Sequence, residues 1–523
     1  MRVLQSYTQG QWTTPRSGAG AEVRDASTGE TVALVGSEGV DMAGALDHGR
    51  RVGGPALRAL TFQQRAGMLK ALAQHLGEHK EELYTLSAAA GATRKDAWGD
   101  VDGGIGTLGA YASRAKRELP DATVLPDGEP EPLAKDGSFA VQHVQVPLQG
   151  VAVLINAFNF PVWGMLEKLA PAILAGVPVL VKPATPTAYV AEALFREVIA
   201  SGALPEGAAQ LICGSTGDLL DHLTGQDLVG FTGSAATAAR LRAHPAIAGN
   251  AVRFNAEADS LNASILGLGA TPTAAEFELY LDEVARELTT KTGQRCTCIR
   301  RALVPAGLVE PAVAGLRRRL ESVVLGDPRA EGVQVGPLVS LEQREDVRRA
   351  VAGLREGAEP VLESEPRPQG ADAERGAFLA PTVLLARDSA HPAIHNLEAF
   401  GPVCTVVPYT DTDEAISLAA LGMGSLVASV FTPDTAEAAR LALGLASHHG
   451  RVLLVDESCG RTSTGHGTPM PQTVHGGPGR AGGGEELGGL RAVHHHLQRT
   501  AVQGSPAVLA AVTGRGQAVT AQR

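Results

Sequence analysis

Glu287-Leu-Thr-Thr-Lys-Thr-Gly-Gln-Arg-Cys296-Thr-Cys298-Ile-Arg-Arg301 is the stretch on which the reading of this chain turns. Just upstream, Phe277, Tyr280, Leu281, Val284 and Leu288 recur at helical spacing, which predicts an amphipathic helix with one face in a core. Gly293 is expected to end that helix. Cys296 then falls on irregular backbone held by a rigid element, a common way to present a nucleophile. A thiol attacks well only after losing its proton, so a reactive Cys296 needs a base or an electropositive setting. The competing reading is a buried cysteine that only packs. Cys298 is too close in sequence for good disulfide geometry with Cys296 and reads as part of the wall of a site.

Outward from this stretch, the 523 residues exceed what one simple core organises and predict two or three domains. An apolar content of 44% is that of a globular protein, and 62 Gly with 31 Pro imply many turns. A net charge of −11 and a pI near 5.8 argue against a nucleic-acid partner. Cys213, Cys296, Cys298, Cys404 and Cys459 are odd in number and lack the spacing of a disulfide framework, so a reducing compartment is expected. The N-terminal residues carry no secretion-signal core, and no run of about 18 apolar residues occurs. A cytoplasmic location without a membrane partner is expected.

Residues 1–50 read as short strands and turns, among them Gln11-Trp12-Thr13 and Glu22-Val23-Arg24. Thr61 is a predicted N-cap, followed by an apolar stripe of Met68, Leu69, Leu72 and Leu76. The acidic, Pro/Gly-rich segment 121–137 reads as an exposed connection. Ser138 to Val146 reads as a strand with imperfect alternation. From Gly150 the apolar runs Val151–Ile155, Val177–Val181, Ala209–Cys213 and Leu228–Phe231 alternate with helical segments. Continuous apolar runs of this kind are buried parallel strands. Their alternation with helices predicts an α/β, doubly wound sheet with ligands at the carboxyl ends of its strands. A second α/β segment extends from about 263 to 460, and within it Arg317-Arg-Arg319 reads as a solvated helix face.

Gly293-Gln294-Arg295-Cys296 resembles the Gly-Gln-x-Cys signature of the aldehyde dehydrogenase superfamily, and further motifs of that family follow in order along nearly the whole chain. The resemblance implies the aldehyde dehydrogenase fold. That fold would comprise a Rossmann-like dinucleotide-binding domain (1–124 and 147–262), an α/β catalytic domain with the thiol (263–465), and a β oligomerisation arm with a tail (125–146 and 485–523). Asn156-Ala-Phe-Asn159-Phe-Pro161 resembles the family's Trp-Asn-Phe-Pro. This places Asn159 in an oxyanion hole, which the reaction needs because attack on an aldehyde charges its oxygen. A turn asparagine is the alternative. Lys168 matches a family lysine near the catalytic centre. Val181-Lys182-Pro183-Ala184-Thr185-Pro186 resembles the Lys-Pro-Ser-Glu stretch whose lysine reaches the adenosine ribose. NAD-preferring members often carry Glu at the position of Thr185, where a carboxylate binds the ribose 2′-OH and repels a 2′-phosphate. Neutral Thr185 beside Lys182 therefore predicts NADP. Phe231-Thr-Gly233-Ser234 resembles the family's phosphate turn, in which a helix N-terminus holds the pyrophosphate. Glu398-Ala-Phe400-Gly-Pro resembles Glu-x-Phe-Gly-Pro. Glu398 would then bind the nicotinamide ribose and Phe400 lie near the ring, although a Gly-Pro turn alone would explain the stretch.

Arg253-Phe-Asn-Ala-Glu257-Ala-Asp-Ser-Leu-Asn-Ala263 keeps the family's Glu but loses the glycines of Glu-Leu-Gly-Gly-Lys. With Thr289–Thr297 and His496–Thr500, it resembles a narrower group of aldehyde dehydrogenases. That group oxidises coenzyme A-linked semialdehydes in benzoate and phenylacetate degradation. Glu257 would be the general base that activates water against a Cys296 thioester; a salt-bridged strand-end carboxylate is the alternative. Asp259 reads as a hydrogen-bonded turn residue. The glycine-rich run from His475 resembles a Phe-Gly-Gly segment but begins with His, and reads equally as a substrate mouth or a flexible connector. His494-His-His496 cannot turn three adjacent rings to one ion, so no metal is expected. Ala492–Val502 reads instead as an oligomerisation strand, implying a homodimer or a dimer of dimers. The activity expected is NADP-dependent oxidation of 3,4-dehydroadipyl-CoA semialdehyde to its acid in aerobic benzoyl-CoA degradation. One alternative is the 3-oxo-5,6-dehydrosuberyl-CoA semialdehyde of phenylacetate breakdown, whose dehydrogenase is often fused to a hydratase for which a chain of 523 residues leaves no room. Others are a coenzyme A-acylating enzyme, which generally lacks the base, and a catalytically silent binding relative. Cys296, Glu257 and Asn159 together argue against the last.

Overall fold

Alternate residues of the short apolar strands point into two different cores. Ala152 and Leu154 pack with Val179, Val181, Ala209 and Leu211 on one side, whereas Val153, Ile155, Leu180, Val229 and Phe231 pack on the other. Such strands are apolar on both faces because helices cover both. The computed structural model describes residues 2–16 and 20–514. Its first large sheet runs Arg253–Glu257, Leu228–Thr232, Ala152–Ile155, Val179–Lys182 and Ala209–Leu211, all parallel. The antiparallel hairpin Ser6–Thr8 and Gln11–Thr13 extends it. The chain begins in the middle strand, Ala152–Ile155, winds to one side, then returns to Leu228–Thr232 on the other. This reversal leaves a crevice beyond the carboxyl ends of those two strands.

The second large sheet runs Ala358–Leu362, Thr382–Ala386, Val403–Tyr409, Arg301–Pro305, Ala263–Leu266, Ser425–Phe431 and His449–Val455, parallel except at its first pair. The helix Ala275–Thr289 packs on it through Phe277, Tyr280, Leu281, Val284 and Leu288, the stripe expected from sequence. Thr61 caps the helix Phe62–Glu78 through a capping box with Gln64.

A three-stranded antiparallel arm joins Leu125–Pro132, Ala140–Pro147 and Leu497–Gly504. Its first strand lies inside the segment read as a mere connection. Pro126, Pro130 and Pro132 are tolerated there because the strand is an edge, where a missing N–H costs no ladder bond. The expected strand over Ala492–Val502 begins later than read: Arg491–His494 is a helical turn, and pairing starts at Leu497. The expected tail is described only to residue 514; residues 515–523 lie outside the described residues. A two-stranded ribbon, Val474–Gly476 with Glu485–Leu487, lies against the strand that ends in Glu257. Among the described residues, no helix is long and apolar enough to cross a membrane.

Candidate active site

The thiol helix ends one turn before its glycine. Lys291 and Thr292 both adopt left-handed backbone, with φ of 49° and 54°, and Gly293 follows at φ 65°. A side chain in that region costs about 1–2 kcal/mol per residue. Long-range contacts hold the turn. The Lys291 N–H donates to Asp96 Oδ1 at 2.8 Å, and Thr292 Oγ1 donates to the Gly336 carbonyl at 2.8 Å. A Cβ on Gly293 would lie 2.2 Å from the Gly401 carbonyl oxygen, so only glycine fits. Two further side chains clamp the loop beyond it. Asn262 Nδ2 donates to the carbonyls of Cys296 (2.8 Å) and Cys298 (3.0 Å). The Arg300 guanidinium donates to the carbonyls of Gly401, Gly293 and Arg295.

Cys296 thereby reaches a cleft of 680 Å³ at the crevice of the first sheet. Asn159, Glu257 and Cys296 line its inner end. Asn159 Nδ2 donates to the Gln294 carbonyl at 3.1 Å, which fixes the amide beside the thiol loop and leaves its second hydrogen free. Phe231, Gly233, Ser234, Glu398 and Phe400 line the same cleft. Phe400 meets Phe158 edge-on at 5.8 Å. Ser234 caps the helix Ala235–Arg242 by accepting from the Thr237 N–H. Asp259 Oδ1 accepts from the Ala235 N–H at 2.8 Å, so in place of the expected local turn bond it holds the first turn of the helix Ala235–Arg242. Lys182 and Thr185 line both this cleft and an adjoining 610 Å³ cavity, to which Glu38 and Asp218 also contribute.

Two predicted positions differ in placement. Cys298 is fully buried and its Sγ donates to the Glu287 carbonyl at 3.3 Å, so it packs behind Cys296 and does not line the cleft. Lys168 likewise sits behind the cleft lining, with Nζ 3.0 Å from Glu167 Oε1 and 2.8 Å from Glu486 Oε2; all three side chains are nearly inaccessible. Burial opposes the charge on Lys168, but Glu167 and Glu486 outweigh it and push its pKa up. Burial pushes Glu167 well above the usual carboxylate range despite Lys168.

Sequence reasoning singled out His475 but gave it no role beside the thiol. His475 Nε2 lies 3.9 Å from Cys296 Sγ along a hydrogen-bond direction, and 2.9 Å from Glu257 Oε2. The Glu257 contact is off the N–H axis, so neither carboxylate oxygen has a hydrogen-bonded partner. The ring rests against Trp163, 5.4 Å between centroids. His475 faces Glu486 across the ribbon, so one ladder pair supplies both the imidazole and the second carboxylate on Lys168. The glycine run that follows is no flexible connector. Gly482, at φ 105°, and Gly484 approach the Ala256 carbonyl so closely that a Cβ on either would lie 2.4 or 2.3 Å from it. The signal in the sequence was a histidine where a Phe-Gly-Gly segment is expected, followed by that run.

Burial pushes the Cys296 thiol well up, and the Glu257 carboxylate adds to this. Burial also raises Glu257, but opposite charge on His475, with Lys168 behind it, pulls it below the usual carboxylate range. Burial pushes Glu398 up to about 7 against the pull of Arg300. Glu398 Oε1 is buried with no hydrogen-bonded partner, 3.5 Å from Arg300 Nε, so it is an acceptor awaiting a donor. A ribose hydroxyl is such a donor, and the amide-rich turn at Ser234 suits a pyrophosphate. The residues present therefore fit a dinucleotide. Glu257, Cys296 and His475 also place a carboxylate, a sulfur and a ring nitrogen within 4.8 Å of one another.

Comparison with known proteins places this geometry among relatives. A profile described as the aldehyde dehydrogenase family matches residues 12–502. A 3,4-dehydroadipyl-CoA semialdehyde dehydrogenase from Aromatoleum evansii is 48% identical over 479 residues, 91% of this chain and 93% of that protein. Among solved structures, an apo betaine aldehyde dehydrogenase from Staphylococcus aureus superposes with a TM-score of 0.83 at 25% identity, covering 96% of this chain and 95% of that one. A variant of that enzyme in complex with NAD+ superposes with a TM-score of 0.83 at 24% identity, covering 96% of each chain.

Proposed function

We propose, from the premise that the chain belongs to the aldehyde dehydrogenase family and is an aldehyde-oxidising enzyme, that it oxidises a coenzyme A-linked aliphatic semialdehyde, 3,4-dehydroadipyl-CoA semialdehyde, to the acid with NADP+ in aerobic benzoyl-CoA degradation. The observation that carries the substrate is the 48% identity with the Aromatoleum protein across 91% of this chain. Neutral Thr185 beside Lys182 in the outer cleft supports NADP+.

Cys296 is the nucleophile. Its thiolate attacks the aldehyde carbon, and the free Asn159 amide hydrogen with the Cys296 N–H holds the developing oxyanion. Lys182, Gly233, Ser234 and Glu398, with Phe400 lining the same cleft, would hold the dinucleotide, which when bound would supply the hydride acceptor. Cys296 then carries the acyl group as a thioester. Glu257 takes a proton from water, whose oxygen attacks that thioester and releases the acid and the thiolate. Lys168 holds two buried carboxylates in place behind the site. The open edge of Leu497–Gly504 supports assembly into a homodimer through the arm.

The test is the rate of NADPH formation with adipyl-CoA semialdehyde against hexanal at matched concentrations. A large kcat/KM advantage for the coenzyme A-linked substrate is expected. Equal rates refute the substrate assignment, and no turnover with either refutes the reading of the site.

A further inference from the structure

We propose that His475 accepts the proton of Cys296, so that attack is carried out by a thiolate–imidazolium pair built from residues far apart in the chain. The inference rests on Cys296 being the nucleophile and adds a group that the proposed mechanism does not use.

The geometry carries the assignment. Nε2 is the nitrogen that faces Sγ, at 3.9 Å and on a hydrogen-bond line. The same nitrogen lies 2.9 Å from Glu257 Oε2, off that line. The ring can therefore take a proton from sulfur while the carboxylate lies close enough to stabilise the resulting cation. In the step, the S–H bond breaks and its electron pair stays on sulfur. An N–H bond forms at Nε2, and the net charge of the three groups is unchanged.

The surroundings make such an acceptor necessary. Cys296 is half-buried beside carboxylates, and both desolvation and Glu257 oppose the thiolate. Glu257 is a carboxylate, and by ordinary basicity a carboxylate is a weaker acceptor for a thiol's proton than an imidazole. The charged groups around the ring are Glu257 on its strand, Glu167 and Lys168 on the helix Trp163–Ala175, Glu486 across the ribbon, and Arg295 on the thiol loop. Lys168 is already engaged by two carboxylates, and Arg295 Nη1 by Glu287 at 2.7 Å. Neither is a proton acceptor.

The test is the pH dependence of Cys296 alkylation by iodoacetamide, followed by mass spectrometry from pH 5 to 10. The wild-type protein is compared with H475F, H475Q and H475A. The wild type should be alkylated at pH 6.5 within about tenfold of its plateau rate. H475F and H475Q should lose roughly 10–100-fold at pH 6.5 and converge on the wild type only at high pH, because a thiol without its acceptor ionises later. Added imidazole should restore part of the rate in H475A. Matching thermal midpoints and cofactor titrations separate this loss from misfolding. A wild-type profile that rises only above about pH 9 overturns the proposal without any variant, since a paired thiolate forms at lower pH. Variants that keep the wild-type profile overturn it too. If the wild type oxidises aldehyde and the profiles coincide, only the role of His475 falls. If Cys296 is not alkylated and no aldehyde is oxidised, the nucleophile assignment falls with it.

Discussion

Replacing Lys168 by Met removes the one cation between two carboxylates and preserves most of the side-chain volume. Nζ is 3.0 Å from Glu167 and 2.8 Å from Glu486, and the three side chains are 4%, 1% and 6% exposed. Water therefore cannot take over when the ammonium goes. Breaking a buried ion pair from one side costs about 3–5 kcal/mol, because the remaining charge is stranded. The loss should depend on pH with a definite sign. Burial already raises Glu167, and without Lys168 its folded pKa rises further above the unfolded value. The folded variant then binds protons that the unfolded chain does not, so its stability grows as pH falls and is lost as pH rises through the raised pKa. A proton bound by the folded variant and not by the folded wild type is worth about 1.4 kcal/mol per pH unit, so a deficit of about 4 kcal/mol at pH 8 should shrink towards pH 6. Urea unfolding at both pH values and fixed protein concentration measures it. K168M/E486Q should recover about half of the loss at pH 8, because one stranded carboxylate is gone. A deficit under about 1 kcal/mol at pH 8, or one equal at both pH values, would refute this account of the cluster.

Glu257→Gln should lower steady-state turnover by about 10²–10⁴-fold while the first turnover still reduces cofactor, leaving an acyl group on Cys296 that mass spectrometry detects; equal loss of both phases argues against a hydrolytic role. Thr185→Glu should shift the kcat/KM ratio towards NAD+ by roughly 10–100-fold, through repulsion of the 2′-phosphate, and an unchanged ratio in paired steady-state assays counts against the proposed NADP+ contact. Gly293→Ala, at φ 65° and 2.2 Å from the Gly401 carbonyl, should cost about 2 kcal/mol or more and slow Cys296 alkylation; a thermal midpoint within error of wild type would mean the turn is looser than described.

The parts of the fold legible in the sequence are those set by local pattern. Ala152–Ile155 is apolar throughout because both faces are covered, and the stripe from Phe277 to Leu288 has the period of the helix that carries it. Leu125–Pro132 escaped because its prolines read as connection, and only pairing with Ala140–Pro147 makes it an edge strand. The turn before Cys296 escaped in part because Lys291 and Thr292 are unsuited to left-handed backbone and are held there by Asp96 and Gly336. In the site, the motif residues Asn159, Glu257, Glu398 and Cys296 line one cleft. Asn262 and Arg300 were hidden because their task is to hold carbonyls of a loop, and carbonyls leave no trace in a sequence. His475 was visible as an oddity, but its approach to Glu257 depends on glycines that let the ribbon press against a strand far away in the chain.

That ribbon sets a time order for the molecule during synthesis. Strand Arg253–Glu257, Lys168 and Cys296 all leave the ribosome well before residues 474–487, which complete their surroundings. A nascent chain holds its thiol without an imidazole beside it and its buried lysine with a single carboxylate. Both gaps close together when His475 and Glu486 dock as one ladder pair. On the proposed pairing, the growing polypeptide carries a quiet thiol until that ribbon docks.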